Sequence, residues 1–352
     1  MSVVRVLNRR QVSGLISMPM ALDAVEEAYR MKGEQRGELW PMVVHVFGPD
    51  HRGDLDIKSG NLPDRYGLKV VSWFGANEKR GLPALTGTEL LFDMENGQPV
   101  ALLDAGPITD YRTGASAAVG AKYLAPIDSR RLCIVGCGAL APYVASAFAL
   151  LFPGLEELTI VNPLHPVHAV ERLEHIKSLA ERLAGRSIPL VASEDTESAV
   201  RTSDLVTTIT PATQPVVKAA WLHKGMHLSC IGADMEGKQE IESDCARDAL
   251  QPGGPAGGAG KESDCARDAL LFCDDCSQSL SVGEFEKPFR EGILKKLDGE
   301  IGAVVAGRMQ GRRSKDAITI FDASGIALLD LSMAKALVAA AEGLGVGSLV
   351  EW

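Results

Sequence analysis

The sequence predicts an α/β protein in two parts, a doubly wound parallel sheet and a separate α+β domain. Three observations predict this. From residue 131 onward, short apolar runs alternate with helical stretches in the rhythm of βαβ units. The glycine-rich segment GCGALA, residues 136–141, falls between the first of those runs and the first of those helices. Before residue 125 the texture differs, with one amphipathic helix followed by strand-like runs and a hairpin signal.

In chain order, PMALDAVEEAYRMKGEQ at 19–35 reads as an amphipathic helix with Met20, Val25 and Tyr29 along one face. Strand-like runs follow at 42–47, around residue 58, and at 67–74, 86–93 and 98–104. Asn-Gly within DMENGQP at 93–99 is a hairpin turn signal. The alternating region gives strands at 131–135, 157–161, 188–192, 204–209 and 226–231, with helices at 139–151, 166–184 and 196–202. A helix near 299–309, a strand at 317–321 and a helix at 327–342 close the chain, and the last helix is expected to return to the first domain. The expected domains are 1–125 with 311–352, and 126–310.

GCGALA has a physical reading. Gly136 permits the tight turn after the strand, Gly138 lets backbone approach a phosphate, and Ala141 is the small residue where helix packs on strand. The helix N-terminus adds free N–H groups and a positive dipole end. A Rossmann-type dinucleotide site is the expectation, and a structural turn is the alternative. The second strand ends in Asn162, where NAD-binding sheets carry Asp or Glu. Loss of that carboxylate leans toward NADP, although no arginine follows directly and the asparagine can still bond a hydroxyl.

Composition narrows the function classes. A formal charge of −10 gives no electrostatic reason to bind nucleic acid or an anionic membrane. No apolar stretch is long enough to span a bilayer, and the first residues lack a signal-peptide pattern, so a cytoplasmic location is expected. Of the seven cysteines, Cys133 and Cys230 lie in apolar runs and read as core thiols. Cys273 and Cys276 form a CxxC, in isolation a redox pair or half a zinc site. No second pair or histidine is spaced to complete a metal site, so they read as structural and no metal is expected. ESDCARDAL at 242–250 recurs at 262–270 around a Gly/Pro/Ala spacer, and residues 251–270 read as a flexible, dispensable insert.

Polar residues stand where apolar runs carry or end in them. Lys69 lies inside GLKVVSW, Arg112 and Thr113 precede a small-residue helix, Asp234 follows a strand in CIGADMEGK, and Ser324 follows one in FDASGIALLD. Together with WP at 40–41, GLPAL, LLFDMENGQPVALLD, GCGALA and TTITP, these segments resemble the ornithine cyclodeaminase/μ-crystallin family over nearly the whole chain. The resemblance implies an NAD(P)-dependent enzyme of α-amino acids and their imines, a homodimer, and a first domain that supplies dimer contacts and substrate groups. It implies Asp234 as the proton-handling residue and Lys69 as the group that positions substrate. It implies Arg112 at a substrate carboxylate or a cofactor phosphate, and Ser324 at the substrate. It places Thr113, Gly136, Gly138, Ala139, Leu140, Asn162, Thr210, Ala233 and Lys238 at the dinucleotide.

Bottom-up chemistry agrees, because hydride transfer at an α-carbon needs a nicotinamide, a carboxylate anchor and a group for proton traffic. The alternatives are a buried ion pair for Lys69, a surface salt bridge for Arg112 and a helix cap for Asp234. Four departures from family cyclodeaminases stand out: Met42 in place of arginine, Ala84 in place of threonine, Leu140 in place of glutamine, and Lys58 in place of methionine. Lys58 becomes the candidate replacement carboxylate partner, with an exposed strand lysine as its alternative. The expected function is imine or ketimine reductase, or amino-acid dehydrogenase. The alternatives are an ammonia-releasing cyclodeaminase and a non-catalytic crystallin-type binding protein.

Overall fold

The computed structural model describes residues 3–50, 52–246 and 269–352. The duplicated ESDCARDAL and its spacer lie largely outside the described residues. The chain forms two compact units, Met1–Arg112 with Ile326–Trp352, and Thr113–Gly325.

The first unit is built on a mixed sheet. Its elements are β1 (Val3–Leu7), α1 (Arg9–Leu15), α2 (Met18–Gly33), β2 (Glu38–Leu39), β3 (Val43–Phe47), β4 (Gly53–Asn61), β5 (Arg65–Trp73), β6 (Leu85–Asp93) and β7 (Pro99–Asp104). Helix α3 (Ala105–Leu124) follows at once and contains the boundary between the units. Helix α2 forms where its pattern predicts, capped by the Ser17 hydroxyl, which accepts from Met20 N–H. Its buried face starts one turn-step earlier than expected: Met18, Leu22, Val25 and Tyr29 are buried, and Met20 is half-exposed. The Asn-Gly signal closes a hairpin between β6 and β7, with Gly97 at φ +73° and the Asp93 carboxylate accepting from Glu95 and Asn96 N–H.

The second unit holds β8 (Arg131–Val135), α4 (Ala141–Leu151), β9 (Glu157–Val161), α5 (Pro166–Ala184), β10 (Leu190–Ala192), α6 (Thr196–Arg201), β11 (Leu205–Thr208) and β12 (His227–Cys230). Then come β13 (Leu270–Cys273), α7 (Cys276–Val282), α8 (Glu286–Arg290), β14 (Gly299–Glu300), α9 (Ile301–Val305) and β15 (Thr319–Asp322). All its pairings are parallel, in the order β10-β9-β8-β11-β12-β15-β13-β14. Apart from exposed Arg131, strands β8, β11, β12 and β15 are buried on both faces, as in a covered parallel sheet. Chain order reverses between β8 and β11, which makes their carboxyl ends the switch point of a doubly wound sheet.

The chain returns to the first unit with α10 (Ala327–Leu344) and β16 (Ser348–Glu351), the latter antiparallel to β1. Two expectations are corrected. Strand β15 pairs with β12 and β13, so the return comes at residue 326, not 311; a fully buried strand inside the parallel sheet keeps this stretch in the second unit. Arg112 and Thr113 lie within α3, not before it. The helix starts at Ala105, where the Asp104 carboxylate accepts Gly106 N–H. Strands β1 and β16 were not foreseen. Among the described residues, no helix is long and apolar enough to cross a membrane.

Candidate functional site

The cradle at the carboxyl end of β8 is built from the turn Gly136–Leu140. Gly136 has φ +123°, and a Cβ there would lie 2.9 Å from the Ile209 carbonyl oxygen, so only glycine fits. A Cβ on Gly138 would meet nothing within 4 Å, so the turn faces open space at that point. Helix α4 begins at Ala141 with Pro142 in its first turn and Leu140 at the cap, which offers no side-chain acceptor. Among the described residues, none accepts from the N–H groups of Gly138, Ala139 and Leu140. Free N–H groups at a helix N-terminus, with room for backbone approach, fit a dinucleotide pyrophosphate.

The neighbouring strand ends shape the rest of this crevice. The Asn162 carboxamide oxygen accepts from Leu164 and His165 N–H at 3.2 and 3.1 Å, and its nitrogen donates to Cys137 Sγ at 3.3 Å. Thr210 donates its N–H and hydroxyl to Glu240 Oε1, at 2.5 and 2.8 Å. Glu240 also accepts from the Thr208 hydroxyl and from Gly232 N–H, at 2.6 and 2.8 Å. One buried carboxylate thus ties the end of β11 to the loop after β12, which carries Ala233 and Asp234. Burial raises the Glu240 carboxyl above its ordinary range despite these four donors. Sequence reasoning missed Glu240; the signal was a carboxylate directly before Ile241 in an otherwise closing turn.

Asp234 pairs with Lys238 Nζ at 2.5 Å, and its side chain is 43% exposed. No helix follows it: residues 234–238 turn through Gly237 at φ +84°, so it is not a helix cap. Ser324 is buried, and its hydroxyl donates to Asp274 at 3.0 Å.

A second cluster lies inside the first unit. Lys69 Nζ donates to Asp330 Oδ1 at 2.7 Å, and Arg112 Nε donates to the same oxygen at 3.1 Å. Register places Lys69 opposite Lys58 on β4 and opposite Glu89 on β6. Lys58 is only 5% exposed, which excludes the solvent-facing alternative. Neither Glu89 carboxylate oxygen has a hydrogen-bond partner among the described residues. Burial, reinforced by Asp330, raises the Glu89 carboxyl well above its ordinary range, while Lys69 and Arg112 oppose the shift. Burial pushes the Lys69 ammonium down to about 8, with Arg112 and Lys58 acting the same way and Asp330 opposing them. Burial raises the Asp330 carboxyl, but Lys69, Arg112 and Lys58 outweigh it and hold it below its ordinary range. Sequence reasoning found the cations and missed Asp330 and Glu89. Both were visible as lone carboxylates in the apolar runs ALLDLSM and TELLF.

The ornithine cyclodeaminase/mu-crystallin family model matches residues 3–343. The chain belongs to this family. The alanine dehydrogenase of Archaeoglobus fulgidus is 33% identical over 350 residues, covering 99% of this chain and 98% of that protein. A solved archaeal alanine dehydrogenase dimer with bound NAD superposes with a TM-score of 0.85 at 31% identity, covering 100% of both chains. The Thermococcus litoralis Δ1-pyrroline-2-carboxylate reductase, in complex with NADH and L-proline, superposes with a TM-score of 0.84 at 26% identity, covering 98% of this chain and 99% of that one. The α/β architecture with a Rossmann-type sheet is that of these NAD-bound relatives.

The cradle allows a discriminating test. Gly138→Val should abolish dinucleotide binding, because the side chain would fill the space in front of the turn. The same substitution meets no protein atom, so stability should change by only about 0.5 kcal/mol, as at an open position. Calorimetric titration with NADH and a melting curve check both halves. Wild-type-like affinity would remove the pyrophosphate from this turn.

Proposed function

We propose that the protein is a nicotinamide-dependent oxidoreductase of an α-amino acid or its imine, acting as an imine or ketimine reductase or, in reverse, as an amino-acid dehydrogenase. The observation that carries this reading is the convergence of Lys58, Lys69 and Arg112 in one buried cluster with Asp330. Buried cationic donors held in a fixed arrangement suit an anionic group that can accept from them. An α-carboxylate is such a group, and holding it fixes the adjacent carbon for reaction.

Bound nicotinamide supplies or accepts the hydride. Asp234 moves a proton at the substrate nitrogen or a water, and Lys238 positions its carboxylate. Ser324 holds its own turn through Asp274. Met42 and Ala84 carry no charge or hydroxyl where family cyclodeaminases do, which weighs against ornithine.

The reading favours NAD(H) over NADP(H), reversing the lean drawn from Asn162. Its carboxamide oxygen is held by Leu164 and His165 N–H, and no lysine or arginine stands between it and Glu171 to grip a 2′-phosphate. The two solved relatives carry NAD and NADH. A homodimer is the proposed working form, as for the archaeal alanine dehydrogenase.

A screen of amino and imino acids with both cofactors, followed by nicotinamide absorbance and ammonia release, tests the reading. A reductase consumes NADH in step with substrate. Ammonia release without net cofactor change would replace it with a cyclodeaminase. No turnover of any amino or imino acid would leave a binding protein.

Lys58 gives a sharper check. Lys58→Met should weaken substrate binding by about 1.5–3 kcal/mol, the worth of a hydrogen bond to a charged group. It also removes a cation that depresses Lys69. In the wild type, the Michaelis constant should rise with pH through about 8, as Lys69 loses its proton. In the variant that rise should move to higher pH. An unchanged Michaelis constant would take Lys58 out of substrate binding.

A further inference from the structure

The CxxC has no part in the proposed chemistry, yet its geometry is specific. Cys273 ends β13 and Cys276 opens α7, with their sulfurs 3.5 Å apart. Cys273 is buried and Cys276 is half-buried. The residues around them hold another part of the chain. Asp274 accepts from the Ser324 hydroxyl at 3.0 Å and from Gly325 N–H at 2.6 Å. Gln278 Nε2 donates to the Ser324 and Gly325 carbonyls at 3.3 and 3.1 Å. Asp275 accepts Gln278 N–H at 2.9 Å, which fixes Gln278 at the start of α7. The stretch Cys273–Gln278 is therefore a clamp on Ser324–Gly325, and Gly325 sits at φ +83°.

We propose that Cys273 and Cys276 are a redox modification site, whose closure to an intramolecular disulfide by exchange with a small-molecule disulfide loosens the Asp274 clamp on Ser324–Gly325. This inference is independent of the enzyme's substrate. Cys276, the more accessible, loses its proton and its sulfur attacks one sulfur of R–S–S–R. A thiolate R–S⁻ leaves, and a mixed disulfide forms. Cys273 then loses its proton and attacks Cys276 Sγ, expelling the second R–S⁻. Two protein thiols are oxidised, and one disulfide is reduced to two thiols. Hydrogen bonding to Cys276 and burial both raise the Cys273 thiol, which assigns it the second, resolving step. Closure brings sulfurs now 3.5 Å apart to about 2.05 Å. That movement falls on the turn carrying Asp274, whose contacts to Ser324 and Gly325 depend on its position.

The test treats the full-length protein with 2-hydroxyethyl disulfide, blocks remaining thiols, and maps tryptic peptides by mass. The peptide carrying both cysteines should be two hydrogens lighter and should regain them with dithiothreitol. In the oxidised protein the Gly325 amide should exchange with deuterium roughly tenfold faster, as one hydrogen bond's protection is lost. Cys276→Ser should show neither change. Absence of the bridge, a bridge from either sulfur to Cys245 or Cys265, or a bridge with unaltered Gly325 exchange would each overturn the proposal.

Discussion

Asp330→Asn should destabilise the protein by about 3–5 kcal/mol, the cost of breaking a buried ion pair from one side. Asp330 is 1% exposed, as is Lys69, and one of its oxygens receives both Lys69 Nζ and Arg112 Nε. Asparagine keeps the shape and an acceptor oxygen but leaves two buried cations without a counter-charge. The melting temperature should fall on the order of 10 °C. The double variant Lys69→Met with Asp330→Leu should recover part of the loss, because an apolar pair removes one cation along with its partner. A single variant that melts like the wild type would show that Lys69 and Arg112 find their counter-charge elsewhere. Its activity should also fall, since both cations lose their fixed position.

Asp234→Asn should lower turnover by about 10²-fold or more, within the range of general acid–base groups. The side chain is 43% exposed and paired with Lys238, so its removal should leave stability within about 0.5 kcal/mol of wild type. NADH affinity should hold, because the cradle at Gly136–Leu140 does not use this carboxylate. The signature is thus a fall in turnover with folding and cofactor binding intact. Lys238→Met should show a smaller loss of turnover, as it leaves the carboxylate in place. Wild-type turnover in Asp234→Asn would move proton transfer to another group.

Much of the second unit was legible because its information is local. Helix α5 runs from Pro166 to Ala184 as its pattern predicts, and β8 and β9 fall at 131–135 and 157–161. Apolar runs, a glycine turn and a proline in the first turn of a helix act over a few residues, so the chain states them directly. The expected strand at 188–192 was overextended: it begins at Leu190, after Pro189, which has no N–H for the ladder. In the first unit, β16 at the sheet edge has four exposed residues and β1 beside it has five, too few for an alternation to show.

The sequence by itself determined the glycine turn after β8, the alternation that builds the parallel sheet, and the identity of the cations at 58, 69 and 112. What it could not state was their counter-charge. Asp330 meets Lys69 across 261 residues of chain, and Glu240 reaches Thr210 across 30. Nothing in the local pattern around Lys69 distinguishes a substrate-facing lysine from one held in an ion pair. Only packing brings β4, β5, β6, α3 and α10 into register around that ammonium. Burial then raises Glu89 and lowers Lys69, while the neighbouring cations outweigh burial at Asp330 and hold it down, because the cost of a charge depends on the dielectric and partners around it and not on its neighbours in sequence.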